Sequence, residues 1–459
     1  MSAIHDFLGK SARENVLNAI ELVKNNEKYN SIIHITEKRA LERAQKIENG
    51  EITGKLKGVP FIVKDNFLAF DGPTTAASKM LENFNSPIQA SAVEKLEKEG
   101  AICIGKANLD AFAHGGSTEN SAFGPTLNAF DKTRVAGGSS GGSAVSVALG
   151  IVPFALGSDT GGSIRQPASF NGVYGVKPTY GAISRYGVVA MASSTDTIGF
   201  FTTNANDADL LMNILTGKDT NDMTTIESFY NSNIENIGMK KIGIVKEFLE
   251  DGVDASVKDV VNKYIEKLES TGHIVEQISI PIVKYALAMY YIIVPAEVSS
   301  NLARYDGVRY GFRSKNIKNI SDLYGMSRDE GFEIENKRRI MIGSYVLSSG
   351  FFDAYYLKAQ KARTILINEF NKAFEKYDVL VGAVAPTTAF KLGENISEPV
   401  KMYMSDMLVV PASLAGLPSI SVPAGLSTEG LPVGIQLIAK QKNDAILIAL
   451  ANQMEGQNV

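Results

Sequence analysis

Tryptophan is absent from the 459 residues, cysteine occurs once, at Cys103, and histidine four times, at His5, His34, His114 and His273. A single cysteine excludes an intrachain disulfide and any Cys-x-x-Cys site, which fits a reducing compartment. Within AICIG, Cys103 reads as a core residue rather than a reactive thiol. Four histidines leave little room for imidazole chemistry: His5, His34 and His273 stand in polar, helix-like or turn-like stretches, and only His114, in AFAHGGSTENS, is a candidate base. Neither sign of charge dominates. With 46 Lys+Arg against 50 Asp+Glu the formal net charge is −4, so the chain lacks the overall basic field of a nucleic-acid binder. Long apolar runs are missing too. MSAIHDFLGKSAREN carries no apolar signal-peptide core, and runs such as YALAMYYIIVPA (285–296) are too short to span a bilayer, so a cytoplasmic protein is expected.

Glycine, by contrast, is concentrated. From Gly137 to Gly181 it takes 11 of 45 positions, against 41 of 459 in the whole chain. The stretch is no flexible linker, because its glycines bracket two apolar runs, AVSVALG and IVPFALG, that belong in a core. Gly/Ser loops on buried elements describe a site lined by main-chain N–H groups, where a side chain would obstruct the backbone's approach to a ligand. Two serines sit at the loop centres, Ser139 in GGSSGGS and Ser163 in SDTGGSIR. A serine hydroxyl becomes a nucleophile only when a base removes its proton. Besides His114, the base on offer is Lys64, which follows the apolar strand-like VPFIV; burial there would lower its pKa, whereas a lysine reaching back to water would stay charged.

Taken together, Lys64, Ser139, Ser163 and the loops GGSSGGS and GSDTGGSIRQPA resemble the amidase signature family, and the resemblance extends to GVYGVKPTYGAISRYG (172–187) and STDTIGF (194–200). It implies a Ser-cis-Ser-Lys triad with Ser163 as nucleophile, Ser139 as the bridging serine at a cis peptide, and Lys64 as terminal base. Attack on an amide carbonyl then calls for donors aimed at the oxyanion, and the N–H groups of Thr160, Gly161, Gly162 and Ser163 are the candidates. The family has a loop like AFAHGGSTENSAFGP (111–125) along its substrate pocket, which implies backbone contacts at Gly115, Gly116 and Ser117. His114 occupies a position where the resemblance leads one to expect an apolar residue, often methionine.

The chain reads as α/β, a single large domain whose central mixed, twisted β-sheet is covered by helices on both faces. Residues 1–50 are expected as an outer helical layer with helices over 12–24 and 32–47, 58–205 as the catalytic core, 206–370 as a variable cap beside the sheet, and 371–459 as late strands and a C-terminal helix. The Ser-Pro at 86–87 and Gly100 punctuate a helix, and AICIG follows as a strand. GAICIGKA (100–107) nearly matches a phosphate-binding loop. Ala107 replaces the metal-holding Ser/Thr, however, and AICI is strand-like, so Lys106 is expected to be structural. Between 111 and 205 only 9 residues are Asp, Glu, Lys or Arg, which marks a dry centre whose charges need partners. Asp159 and Arg165, flanking the Ser163 loop, are expected to brace it.

Segments 297–311, 337–363 and 403–423 resemble the glutaminase subunits of the tRNA-dependent amidotransferases, a branch of that family. This implies glutamine as substrate, with Arg339 on its α-carboxylate, Asp406 on its α-ammonium and Tyr290 lining the pocket; Arg338 is the competing cation. It also implies a heterotrimer in which a B subunit uses ATP and Mg²⁺ and meets tRNA, a C subunit wraps the pair, and this chain carries no cofactor or metal. The rival readings are a stand-alone hydrolase of another amide and a nucleotide-binding or scaffolding protein with inert serines.

Overall fold

The computed structural model describes residues 2–455 apart from 233, 235, 236 and 251. Among the described residues eleven strands form one sheet: β1 (Ile32–Ile35), β2 (Pro60–Lys64), β3 (Ile102–Ala107), β4 (Phe154–Asp159), β5 (Tyr174–Lys177), β6 (Thr197–Thr202), β7 (Lys241–Val245), β8 (Ile274–Ile278), β9 (Val379–Ala383), β10 (Ser419–Leu426) and β11 (Pro432–Ala439). Their order is β1-β3-β2-β4-β6-β5-β10-β11-β9-β7-β8. The sheet is mixed, as the sequence predicts: β2 runs parallel to β3 and β4, whereas β4–β6 and β10–β11 are antiparallel.

Continuous apolar strands follow from burial on both faces. Alternate residues feed two separate cores: Phe61, Val63, Cys103, Phe154, Leu156 and Phe200 enter one, Ile62, Ile102, Ile104, Ala155 and Phe201 the other. The second core is closed by the helices Ala12–Asn25, Glu37–Glu48 and Gly141–Ala148, the first by helices that include Ser91–Lys98, Ala205–Leu215 and Asp444–Glu455.

Four expectations need correction. The stretch 32–47 begins as the edge strand β1, where IIHI is β-branched-rich and pairs antiparallel with β3; the helix starts only at Glu37, after Thr36 has donated its hydroxyl to the Cys103 carbonyl at 2.8 Å. Segment 206–370 is more than a cap, because it supplies β7 and β8 to one end of the sheet. The apolar run at 285–296 lies inside a longer helical stretch, Pro281–Arg304, whose length and composition would suffice to cross a membrane. That stretch is in part buried in the protein, with Ile293, Val294 and Val298 in the first core. The helix at 86–100 also starts late, at Ser91, since Ser86 and Pro87 form a local turn in which Ser86 Oγ donates to the Ile88 carbonyl at 2.6 Å.

Within the Pro281–Arg304 stretch, the helix Ala286–Asn301 packs against the helix Ile334–Val346 at Gly343, where a Cβ would stand 1.9 Å from the Pro295 carbonyl oxygen. Contact this close fixes the second helix, which carries Arg338 and Arg339, against the body of the fold. Gly343→Ala is therefore expected to force the helices apart at a cost of about 1–3 kcal/mol. Differential scanning fluorimetry should show a lowered melting temperature; an unchanged one would refute the tight crossing.

Candidate active site

Parallel pairing of β2 with β4 brings Lys64 and Ser158 to the same end of the sheet, the carboxyl end where α/β proteins place ligands. Lys64 is fully buried, and its Nζ lies 2.7 Å from Ser139 Oγ, 3.0 Å from Ser158 Oγ and 3.4 Å from the Ser158 carbonyl oxygen. Burial pulls its pKa down to about 7, against the partial opposition of Asp110, Asp159 and Asp196. Asn66 Nδ2 donates to the same Ser158 hydroxyl at 3.0 Å. The peptide bond joining Gly138 to Ser139 is cis.

Ser163 follows β4 by four residues, on a loop tied down from below. Asp159 accepts from Arg165 at 3.1 Å (Nε) and 3.0 Å (Nη2) and from the Ile164 N–H at 3.1 Å. Burial alone would raise Asp159, but the Arg165 guanidinium overrides it and holds the carboxyl below its usual range. Arg165 further donates to the Val409 carbonyl and the Ser413 hydroxyl, so the bracing role expected of this pair is what the geometry provides. Thr160 Oγ1 donates to Asp196 at 2.7 Å. The backbone is forced close to its neighbours: a Cβ on Gly161 would meet the Tyr290 ring at 2.7 Å, and one on Gly162, at φ +150°, would meet Val409 at 2.3 Å. Among the described residues, the N–H groups of Thr160, Gly161, Gly162 and Ser163 have no protein acceptor. Ser140, the residue after Ser139, donates its N–H to the Ser163 carbonyl at 3.2 Å, while no hydrogen bond joins the Ser139 and Ser163 hydroxyls among the described residues.

Beside this loop is a cavity of about 130 Å³ lined by Gly115, Gly116, Ser117, Tyr291, Arg338, Arg339, Tyr403 and Asp406. It lies below the roughly 300–1,000 Å³ of drug-sized ligand pockets, so its occupant is small. Asp406 adjoins both glycine loops: its carboxyl oxygens would lie 3.6 Å from a Cβ on Gly162 and 3.6 Å from one on Gly116. Burial raises its pKa to about 8, partly offset by Arg339. Arg339 is buried and Arg338 half-buried, and both lean on Glu335. The Arg339 guanidinium is centred 5.3 Å from the Tyr291 ring and 5.8 Å from that of Tyr403.

The structure thus gathers Lys64, Ser139 and Ser163 in one place, with Arg339, Asp406 and the loop at 115–117 adjoining. Tyr290 is placed differently from expectation: it backs Gly161, and the ring lining the cavity is its neighbour Tyr291. A second cavity, walled by Arg185, Val189 and Met191, also reaches Ser158 and Thr160. His114, the candidate histidine base, is buried against Asn336, and burial together with Arg339 keeps its pKa well below the ordinary value. Sequence reasoning missed Ser158, Asn66, Asp110, Glu335, Tyr291 and Tyr403. Of these, Glu335 had a signal, since it precedes Arg338 and Arg339 by the three- and four-residue spacings that meet on a helix face.

Comparison with known proteins agrees with this geometry. The Amidase family model matches residues 14–448. The chain is 51% identical over 454 residues to the A subunit of glutamyl-tRNA(Gln) amidotransferase from Caldanaerobacter subterraneus subsp. tengcongensis, covering 97% of this chain and 93% of that protein. It is 52% identical over 425 residues to the protein of the same name from Carboxydothermus hydrogenoformans, covering 91% of this chain and 87% of that one. Among solved structures, the A subunit of glutamyl-tRNA(Gln) amidotransferase from Thermotoga maritima superposes with a TM-score of 0.84 at 39% identity, covering 99% of this chain and 94% of that one. A bacterial aryl acylamidase superposes with a TM-score of 0.85 at 25% identity, covering 100% of this chain and 96% of that one. A family match over nearly the whole length, on a structure that assembles the glycine loops around a buried lysine, establishes that the chain belongs to the amidase family.

Proposed function

We propose that this protein is the glutaminase subunit of a glutamyl-tRNA(Gln) amidotransferase, with Ser163 as nucleophile. The observation that carries the reading is the buried Lys64 amine 2.7 Å from Ser139, beside four backbone N–H groups without acceptors among the described residues. A neutral amine has two N–H donors and one lone pair. Ser158 offers two acceptors, which leaves the lone pair for the Ser139 hydroxyl.

In the reaction so assigned, Ser163 Oγ attacks the side-chain carbonyl carbon of glutamine while its proton moves to Ser139 and the Ser139 proton to Lys64. The hydroxyl-to-hydroxyl bond absent from the resting structure forms as substrate docks, since catalytic hydrogen bonds commonly tighten on binding. The tetrahedral oxyanion is held by the N–H groups of 160–163, where removing one donor typically costs about 3 kcal/mol. Collapse expels the nitrogen, which leaves as ammonia with the proton returned through Ser139. Water then resolves the γ-glutamyl ester by the same relay, giving glutamate. Arg339 grips the α-carboxylate with its remaining guanidinium N–H groups, and Asp406 takes the α-ammonium.

Assembly into a multisubunit enzyme goes with the name shared by its relatives. In our reading the ammonia passes to a B subunit that activates tRNA-bound glutamate with ATP and Mg²⁺, a C subunit wraps the pair, and the work is cytoplasmic. The net charge of −4 favours tRNA contact through that partner rather than directly. The small cavity, lined by the buried Arg339 together with the buried acids Asp110, Glu335 and Asp406, offers both signs of charge to a zwitterion and favours this reading over a hydrolase of aryl or fatty amides.

Lys64→Ala is expected to lower glutaminase kcat by roughly 10²–10⁴-fold with the folded yield intact. In the wild type kcat should rise as pH rises through about 7, because Lys64 is protonated and useless as a base below that value. Steady-state kinetics from pH 6 to 9 decide both points, and a kcat flat across that range, or retained by the variant, refutes the relay. Arg339→Lys is expected to raise KM for glutamine about 10- to 100-fold, the loss of a charged hydrogen-bond pair. Asp406 is neutral below about 8 in the free enzyme, so wild-type KM should fall as pH rises through that value, and Asp406→Asn should remove the dependence. The same KM profile in wild type and variant would exclude Asp406 as the ammonium ligand.

A further inference from the structure

Two of the walls of the cavity come from segments far apart in the chain. One is the loop carrying Gly115, Gly116 and Ser117; the other is the helix Ile334–Val346 with Glu335, Arg338 and Arg339. Where they meet, His114 and Asn336 are both fully buried and hydrogen-bonded, Asn336 Nδ2 to His114 Nδ1, across 222 residues of sequence. Asn336 also donates to the Ala111 carbonyl at 2.9 Å, and the His114 carbonyl accepts from Asn120 at 2.9 Å. Asn336 precedes Arg339 by three residues, about one helical turn.

Energetically the pair is an unfavourable filling for a dry junction. His114 Nε2 and Asn336 Oδ1 are buried without a partner among the described residues. Apolar side chains of similar shape would avoid that desolvation penalty. Neither residue has a place in the proton relay, and an apolar residue is what the sequence resemblance leads one to expect at 114. Nor does the helix depend on this bond to stay attached: its N-cap residue, Glu333, accepts from Ser78 Oγ at 2.7 Å.

We infer that His114 and Asn336 are a matched positioning pair that sets the height of Arg339 over the loop at 115–117 and so tunes affinity for the α-carboxylate of the substrate. The inference rests on the glutaminase reading and deepens it. Nδ1 serves as acceptor, so the imidazole is neutral with its proton on Nε2, the state that burial and the charge of Arg339 both favour. The pair acts on binding, through Arg339, and leaves Lys64, Ser139 and Ser163 untouched.

The test is steady-state kinetics of the full-length chain assembled with its partner subunits, on glutamine and on 4-aminobutanamide, which keeps the amide and the amine but has no α-carboxylate. His114→Met is expected to raise KM for glutamine about tenfold, the equivalent of one buried hydrogen bond, with kcat within about threefold. His114→Asn, which keeps an acceptor near Nδ1, should restore KM to within about threefold of wild type, as should the double variant His114→Met/Asn336→Val, which removes both polar partners. Turnover of 4-aminobutanamide should be the same in all of them. A glutamine KM unchanged in His114→Met overturns the inference, as does a loss confined to kcat, equal losses on both substrates, or no recovery in either rescue variant. Failure of the wild type to hydrolyse glutamine would instead overturn the glutaminase reading, and this inference with it.

Discussion

Removing the Lys64 amine from water governs the rest of the structure, because an ammonium in that position has lost its hydration and receives only distant compensation from acids. Every neighbouring element serves that arrangement. Strand β4 is parallel to β2 so that Ser158 meets the amine, and Asn66 fixes the Ser158 hydroxyl in turn. Asp110 and Asp159 supply negative potential but are engaged elsewhere, Asp110 by the N–H groups of Thr118 and Asn120, Asp159 by Arg165. A carboxylate in direct contact would have restored the proton to Lys64 and disabled it as a base.

The same dry environment organises the anion side. Backbone N–H groups serve the loop after β4 because glycine alone permits its close approach to Tyr290 and Val409. Their orientation is fixed by the Asp159–Arg165 pair beneath, which is completely buried. A buried ion pair contributes little net stability, but losing one partner strands the other charge. Its value here is geometric: it ties the loop after β4 to the Val409 carbonyl and the Ser413 hydroxyl.

How much of this was legible in the sequence depended on whether the physical cause was local. Ser139 and Ser163 stood out because glycine packed densely beside apolar runs points to backbone lining a site, whereas position alone left Lys64 open between a base and a lysine reaching water, and only the resemblance to the amidase signature family assigned it. Ser158 and Asp110 could not be read, since a serine or aspartate acquires its role only from what the sheet order places opposite it. Strand β1 was hidden because IIHI runs into the following helix with only Thr36 between them, and nothing stronger marks the boundary. Tyr290 and Tyr291 were indistinguishable because Ala286–Asn301 is apolar all round, so periodicity gives no inward face. Segment 206–370 was assigned to a cap although it supplies β7 and β8, because local pattern carries no information about which sheet a strand joins.

The base Lys64 ends a strand inside the sheet and the two serines sit on the short loops beside it, whereas Arg339 is carried by the helix Ile334–Val346 and Asp406 by a turn. Central strands hydrogen-bond to neighbours on both edges and cannot shift singly, but rim helices can be exchanged or re-aimed one crossing at a time. Reaction chemistry and choice of amide are therefore separable traits in this architecture. Evolution can rewrite the guest list without touching the engine.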